Sequence, residues 1–394
     1  MQARTWLASR AEPRVGRDDA ATRGWGVGSD SVEVFPNVDV AREAETTAAA
    51  AQWQRAKFDA GYGAITWDVQ YGGRGLPSSY ERAFRSEEKA FQTPEPSEIL
   101  AVTLGLVAPT IQAHGSEELR AAVIPSLLRA DAIACQLFSE PGAGSDLASL
   151  SCRAVRDGGY WILNGQKVWT SGARVSTFGE AICRTDPAAP KHEGMTAFLV
   201  PLDTPGIEIR PIRQMTGGSS FNEVFLTDVR VPDRYRIGAP GEGWRVALTT
   251  LGFERSTSQH TAPGGSFRRL LQLARHLDLT ADPIVRQELV KAYTLTRVLD
   301  YTNQRMSSAA RAGGAPGPEG SIRKLAWVRS LTYTGDVATR LLGARIAADT
   351  GEWGTYAWSQ HVLGAPGYHI AGGSDEIQRN IIAERVLRLP RDRT

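Results

Sequence analysis

Residues 136–146 read QLFSEPGAGSD, and a little further on residues 163–172 read LNGQKVWTSG. The first run gathers Ser139, Pro141, Gly142, Gly144, Ser145 and Asp146, a composition that suits neither a helix nor a central strand. Glycines let the backbone come close to a ligand, and the N–H and hydroxyl groups of such a loop can hold phosphate or carbonyl oxygens. The second run reads as part of a β-hairpin that ends in a large aromatic, Trp169, beside Thr170 and Ser171. Asn164 and Gly165, set between short apolar runs at 160–163 and 166–170, form the strongest short-range turn signal in the chain. A glycine-rich loop alone carries little; loop, hairpin and Trp-Thr-Ser in this order carry a great deal.

Outward from these runs the pattern changes on both sides. Before about Ile133 the chain reads as helical. Residues 41–61 are rich in Ala, Glu and Gln, 79–91 are charged and amphipathic, and 98–114 are nearly uncharged, as in a helix buried on most sides. Residues 116–130 resume helical spacing, opening on Ser116, Glu117 and Glu118. From Ile133 short strands are expected at 151–157, 160–163, 166–170, 181–184, 196–201, 207–212 and 223–231, punctuated by Gly-Gly, Asp-Pro and Pro-Gly turns. That spacing suggests a compact β-barrel or sandwich of about 100 residues. Helices return at Gly241. In 282–306 an apolar stripe runs through Val285, Leu289, Ala292, Leu295, Leu299 and Met306, with Asp282 as N-cap, Pro283 in the first turn and Gly313 and Gly314 beyond the far end. Residues 321–348 and 376–389 complete the helical half, and 312–320 (AGGAPGPEG) read as a loop. The expected fold class is mainly α with a middle β-domain, divided as 1–132, 133–238 and 239–394.

Bulk properties exclude several classes. A length of 394 residues allows two or three domains with sizeable cores, at about 150 residues per domain. With 45 basic against 43 acidic residues the net charge is +2, which gives no reason to expect a nucleic-acid or membrane partner. Arginine dominates the basic set; the lysines are Lys57, Lys89, Lys167, Lys191, Lys291 and Lys324. Cys135, Cys152 and Cys183 show no CxxC spacing, so neither a metal site nor a disulfide framework is expected and a cytoplasmic location fits. Cys135 reads as a small buried thiol rather than a nucleophile. The N-terminus lacks a continuous apolar segment and no run of 18 apolar residues occurs, so neither a signal peptide nor a membrane span is expected.

The two opening runs resemble the paired signatures of the acyl-CoA dehydrogenase family of flavoproteins. Residues 67–75 (WDVQYGGRG), 221–232 (FNEVFLTDVRVP), 241–255 (GEGWRVALTTLGFER) and 373–385 (GSDEIQRNIIAER) are similar to further family segments, in the family's order. The resemblance covers nearly the whole chain. It implies the acyl-CoA dehydrogenase fold: an N-terminal helical domain, a central β-barrel or sandwich and a C-terminal four-helix bundle. It also implies an FAD-dependent enzyme that removes an α-proton from an acyl-CoA thioester, passes the β-hydrogen as hydride to flavin N5 and hands electrons to an electron-transfer flavoprotein. Such a reaction needs a carboxylate base, a flavin, donors to the thioester carbonyl and a water-poor slot.

Carried over residue by residue, the resemblance sets Gln136, Phe138 and Ser139 along the polar edge of the flavin. Trp169 packs on the ring with Thr170 beside it, and Ser171 stands where a hydroxyl bonds N5. Ser145 corresponds to a serine that contacts the pantetheine or the cofactor pyrophosphate, and Ser374 and Glu376 to contacts of the adenine part. Gly373 and Arg255 fall near the substrate, and residues 98–114 along the acyl slot. The plain structural alternatives are that Trp169 closes a hairpin, Ser171 caps a turn and Ser145 bonds its own backbone.

The sequence departs from the commonest family pattern in two places. Many members carry their base immediately before the first glycine of a YEGTSQIQR-like segment; here 371–379 read AGGSDEIQR, and that position is Gly372. Other members, the isovaleryl and long-chain types among them, place the base on a helix of the C-terminal half, and Glu254 in LGFER falls there. Burial would raise such a carboxyl toward working pH, as suits a base; the alternative is a solvent-facing glutamate paired with Arg255. Second, the family's R-x-FG segment, which binds the cofactor pyrophosphate across a subunit interface, is absent from 280–287 (TADPIVRQ), where Arg286 is a weak substitute. Homodimer, homotetramer and heterotetramer are all compatible with this. Two competing functions stay open: a flavin monooxygenase or oxidase on the same fold, and a non-catalytic partner subunit. The missing C-terminal base points, by analogy, to branched or bulky acyl groups.

Overall fold

A computed structural model describes residues 2–14, 34, 38–257, 267–311, 317–347 and 355–391; within these, the side chains of 255–257, 309–311 and 355–357 lie outside the description. The described chain falls into two compact units, the first ending at Thr257 and the second holding the helices that follow it.

The first unit opens with α1 (Gln2–Ala8) and α2 (Val40–Asp59). Asp39 caps α2 by accepting from the Arg42 N–H at 2.9 Å, and its alanine-rich face buries Thr47, Ala50, Ala51 and Gln54. α3 (Ser78–Glu88) buries Phe84. The apolar run then forms α4 (Glu98–Val102), a single π turn (Thr103–Val107) and α5 (Ala108–His114). Pro109 accounts for the wide turn, because proline lacks an N–H and its ring collides with the carbonyl one turn back. α6 (Glu117–Arg129) starts at Ser116, whose hydroxyl accepts from the Leu119 N–H, and stops at Ala130 with φ of 62°.

Eight strands follow: β1 (Ala134–Leu137), β2 (Arg153–Asp157), β3 (Tyr160–Ser171), β4 (Phe178–Arg184), β5 (Met195–Pro201), β6 (Ile207–Ile212), β7 (Phe221–Pro232) and β8 (Arg236–Ile237). Their order is β6-β7-β3-β2-β4-β5-β8, and β1 lies parallel to β4 off this path. One core of Cys152, Trp161, Leu163, Phe198, Val224 and Val229 fills the sheet domain. A second joins Ile182, Ala197 and Leu199 to the helices through Val107, Ile111, Ile124 and Val246. The unit closes with α7 (Gly243–Thr257), which packs on β4, β5, the π turn and α5.

The second unit contains α8 (Phe267–His276), α9 (Pro283–Arg311), α10 (Gly320–Leu342), α11 (Thr355–Ile370) and α12 (Asp375–Ile381). α10 is central, packing on α8, α9, α11 and α12 around Leu270, Leu289, Val337, Leu341 and Trp358. Asp282 caps α9 as its position suggested, accepting from the Ile284 N–H at 2.7 Å. Gly313 and Gly314 lie outside the described residues. Among the described residues no helix is long and apolar enough to cross a membrane.

One expectation from the sequence is corrected. Asn164 and Gly165 do not form a hairpin turn; they lie inside the continuous strand β3, and the β2–β3 turn is at Gly158 and Gly159. The register against β7 slips between Leu163 and Gly165, which is a β-bulge. Asn164 bonds Asp228 through both its amide and its carbonyl at 3.0 Å, so the side chain that suggested a turn stitches a bulge instead. Gly165 has φ of 153°, and a Cβ there would stand 2.8 Å from Cys152 Cα. Gly165→Ala is therefore expected to destabilise the fold by about 1–3 kcal/mol through overpacking, read as a lower urea midpoint at unchanged slope.

Candidate functional site

Lys167, on β3, ties the two signature runs together. Its side chain has no exposure, and Nζ donates to Phe138 O at 3.1 Å, Ile182 O at 2.7 Å and Glu140 Oε1 at 2.8 Å. Glu140 also accepts from the N–H groups of Ser151 and Cys152 and from the Ser151 hydroxyl. Burial alone would raise the Glu140 carboxyl; the Lys167 ammonium and these donors outweigh it and hold the group below the usual carboxylate value. The loop after β1 is thus bolted to the hairpin by a buried, fully bonded ion pair.

A second tie is made of backbone. Between Lys167 and Thr170 the β3–β7 register slips again, and Val168 N–H turns to Ser139 O at 2.9 Å. At this bulge Trp169 takes φ of 60°, a left-handed conformation that bulky residues rarely adopt, and the residue is 60% exposed. Phe221 meets the indole edge-on at 6.1 Å. Strain that turns a large aromatic outward calls for something flat to cover it. Thr170 is buried with its hydroxyl unpartnered, and its register neighbour Asn222 donates to Thr170 O at 3.0 Å while its own Oδ1 is unpartnered. Ser171 is half-buried at the strand's end, as are Gln136 and Ser139, while Phe138 is buried.

The loop itself is open on one side. A Cβ added at Gly142 or Gly144 would meet nothing within 4 Å, so packing within the chain does not demand glycine at either position. Ser145 is exposed, and Asp146 beside it pairs with Lys191 at 2.6 Å.

Glu254 lies half-buried on α7, one turn beyond Thr250. Arg255 follows it on the same helix, with its side chain outside the description. In the second unit Gly372 and Gly373 both take left-handed backbone, with φ of 65° and 88°. Lys324 donates to Gly373 O at 2.9 Å and to Asp375 at 3.1 Å, and Gln378 Nε2 donates to Gly372 O at 2.8 Å. Ser374 caps α12 through the Ile377 N–H, and Glu376 is exposed and paired with Arg379 at 3.0 Å. The structure thus places Gln136, Phe138, Ser139, Ser145, Trp169, Thr170, Ser171 and Glu254 in one unit, and Gly373, Ser374 and Glu376 around the start of α12 in the other.

Family models match three successive parts of the chain: the acyl-CoA dehydrogenase N-terminal domain at residues 31–131, the middle domain at 135–229 and the C-terminal domain at 241–387. The chain belongs to the acyl-CoA dehydrogenase family. Acyl-CoA dehydrogenase IpdE1 of Mycobacterium tuberculosis is 38% identical over 89% of this chain and 91% of its own length. Acyl-CoA dehydrogenase FadE34 of the same organism is 40% identical over 86% of this chain but 46% of that protein. Among solved structures, "Tcur3481-Tcur3483 steroid ACAD" matches with a TM-score of 0.75 and 28% identity, covering 89% of this chain and 94% of that one. The ChsE4-ChsE5 complex from Mycobacterium tuberculosis matches at 0.73 and 28%, over 89% and 90%. The helix, sheet, helix order expected for an acyl-CoA dehydrogenase is the one observed.

The flavin that the family implies suits the residues present. An exposed indole held by a bulge, a buried unpartnered threonine hydroxyl beside it and a glycine loop with room on its open side together form a cradle for a large planar group with phosphates. Among the described residues no group of three or more His, Cys, Asp or Glu side chains is placed to hold a metal ion. Three positions escaped the sequence reading: Glu140 and Lys167, quoted in the motifs without a role, and Glu180 on β4, which is fully buried. The signal for Lys167 was available, since an arginine-rich chain that keeps a lysine uses a compact ammonium where a guanidinium fork does not fit.

Proposed function

We propose that this acyl-CoA dehydrogenase carries out FAD-dependent α,β-dehydrogenation of a bulky acyl-CoA thioester, with Glu254 as the proton acceptor. The observation that carries the reading is the seat of α7. The helix that bears Glu254 packs on β4, which pairs with the β1 strand leading into the glycine loop, and on the π turn and α5. Base helix, flavin-side loop and the apolar run of residues 98–114 therefore share one framework.

FAD, when bound, supplies the acceptor for the β-hydrogen. By the family resemblance Gln136, Phe138 and Ser139 would hold the ring edge, Trp169 and Thr170 the ring face, and the Ser171 hydroxyl would donate to a ring nitrogen. Ser145, with the open backbone at Gly142 and Gly144, would take phosphate or pantetheine oxygens, Ser374 and Glu376 the adenine part, and Gly373 and Arg255 the acyl thioester. The Glu254 carboxylate takes the α-proton onto an oxygen in a half-buried site. An electron-transfer flavoprotein is the proposed oxidant, and the cytoplasm the proposed location. The division at 1–132, 133–238 and 239–394 is kept as the proposed domain plan.

Steroid-derived acyl groups are the proposed substrate class, supported by the likeness to a structure named as a steroid ACAD. Because two similar structures are named for pairs of chains, a second, related subunit is the proposed partner. An anaerobic panel of straight, branched and steroid-side-chain acyl-CoAs tests the reading: one bulky acyl-CoA is expected to bleach the flavin absorbance. Purified protein that holds FAD, bleaches with no acyl-CoA and reoxidises rapidly in oxygen would overturn it in favour of a monooxygenase or oxidase. Protein that holds no FAD and turns over nothing would make it a partner subunit.

A further inference from the structure

Glu180 sits at the middle of β4, fully buried, on the face that meets α5 and α7. Its Oε1 is 2.7 Å from Thr250 Oγ1, which is itself 3.0 Å from Thr110 Oγ1 on α5 and 3.2 Å from Val246 O on α7. Oε2 is unpartnered. One threonine hydroxyl thus joins a strand and two helices. α5 holds α7 a second time through His114 Nε2, 2.8 Å from Thr249 Oγ1. We infer that Glu180 is a positioning residue: through Thr250 its carboxyl fixes the seat of α7, and with it the place of Glu254 one turn further on. The inference rests on the reading of Glu254 as proton acceptor.

The chemistry of the contact supports this. The Thr250 hydroxyl donates to Glu180 Oε1, and the Thr110 hydroxyl can supply Thr250 in turn. A neutral carboxyl accepts that bond without leaving a charge on Oε2, which has no donor. Burial pushes the Glu180 carboxyl up to about 8, against a smaller lowering by the Thr250 hydrogen bond. The acid is therefore neutral at pH 7. The groups facing it from the packed elements do not duplicate this titration. Gln136 and Leu199 are its register neighbours on β1 and β5. His114 on α5 is lowered by burial and by Arg245, so it stays neutral above pH 7. Arg245 on α7 pairs with Glu242 at 2.9 Å. Glu254 is the one carboxyl within α7, and the thiols of Cys152 and Cys183 lie in the core on the opposite face of β4.

The test is amide hydrogen exchange of α7 in the FAD-loaded full chain at pH 7 and pH 9, corrected for intrinsic rates, with α10 as internal reference. In the wild type, protection of α7 is expected to fall about tenfold between these pH values, the factor set by the one pH unit between pH 7 and the Glu180 value, after which the effect levels off. Glu180→Gln, which keeps an uncharged acceptor for the Thr250 hydroxyl, is expected to lose the step. Thr250→Val, which cuts the link between the carboxyl and α7, is expected to lower protection already at pH 7. If wild type and Glu180→Gln change alike, or if α10 falls together with α7, the positioning role is overturned. A parallel kcat profile should show an alkaline limb near pH 8 that Glu180→Gln removes, with KM little changed. An exchange step without that limb would leave the seat of α7 in place and overturn its link to Glu254, a failure separate from that of the dehydrogenase reading.

Discussion

Glu254→Gln is expected to lower acyl-CoA-dependent flavin reduction by about 10²–10⁴-fold, the usual range for removal of a positioned general base. Glutamine keeps the volume and the hydrogen-bonding reach of glutamate but cannot take up a proton. FAD content should therefore change little, since none of the FAD contacts proposed above involves this side chain. Single-turnover bleaching under anaerobic conditions isolates the step, because it needs no electron acceptor. A loss confined to the reduction rate, with acyl-CoA binding retained, is the signature of a group that acts in the transition state. If the variant keeps more than about a tenth of the wild-type rate, far above the range for a lost base, the base lies elsewhere. Gly372 cannot take its place, having no side chain.

The second large effect belongs to the buried pair. Lys167→Met removes an ammonium that is wholly out of water and leaves Glu140 among groups arranged for an anion. Breaking a buried pair from one side costs about 3–5 kcal/mol, because the remaining charge is uncompensated. Here Phe138 O and Ile182 O also lose their donor, so the loop after β1 loosens from the hairpin. The expected result is a marked fall in the urea midpoint together with loss of bound flavin. Glu140→Gln/Lys167→Met, which removes both charges, should recover part of the stability, and the double-mutant cycle measures the coupling. A single variant with unchanged midpoint and full flavin content would mean that the clamp contributes nothing.

Much of this was legible in the sequence, and the failures are instructive. Helix starts were readable wherever a side-chain cap sets them, as at Ser116 and Asp282, because a cap is a local interaction. The strands at 196–201, 207–212 and 223–231 fell close to their observed bounds. Asn164-Gly165 misled because a turn signal describes two residues, whereas the bulge depends on Asp228 and Cys152, distant in the chain. Glu180 was passed over because a lone glutamate beside apolar residues reads as the end of a strand; the strand was expected to begin at Ala181, and it begins at Phe178. Its partner Thr250 lies 70 positions away on a helix, and no periodicity reports such a pair. The motifs fixed the family, while the contacts that hold the motifs in place needed three dimensions.

The two glycines before α12 make their loop selective for residues without a side chain. Many relatives are expected to carry a catalytic carboxylate where Gly372 stands, yet here both 372 and 373 are left-handed. Gln378 grips the carbonyl of one and Lys324 that of the other. A glutamate introduced at 372 would have to hold a conformation that costs an L-residue about 1–2 kcal/mol, within a loop already pinned at both carbonyls. With both carbonyls already held, the loop has no slack to relieve that cost, so its backbone keeps a side chain out of the place a carboxylate would need.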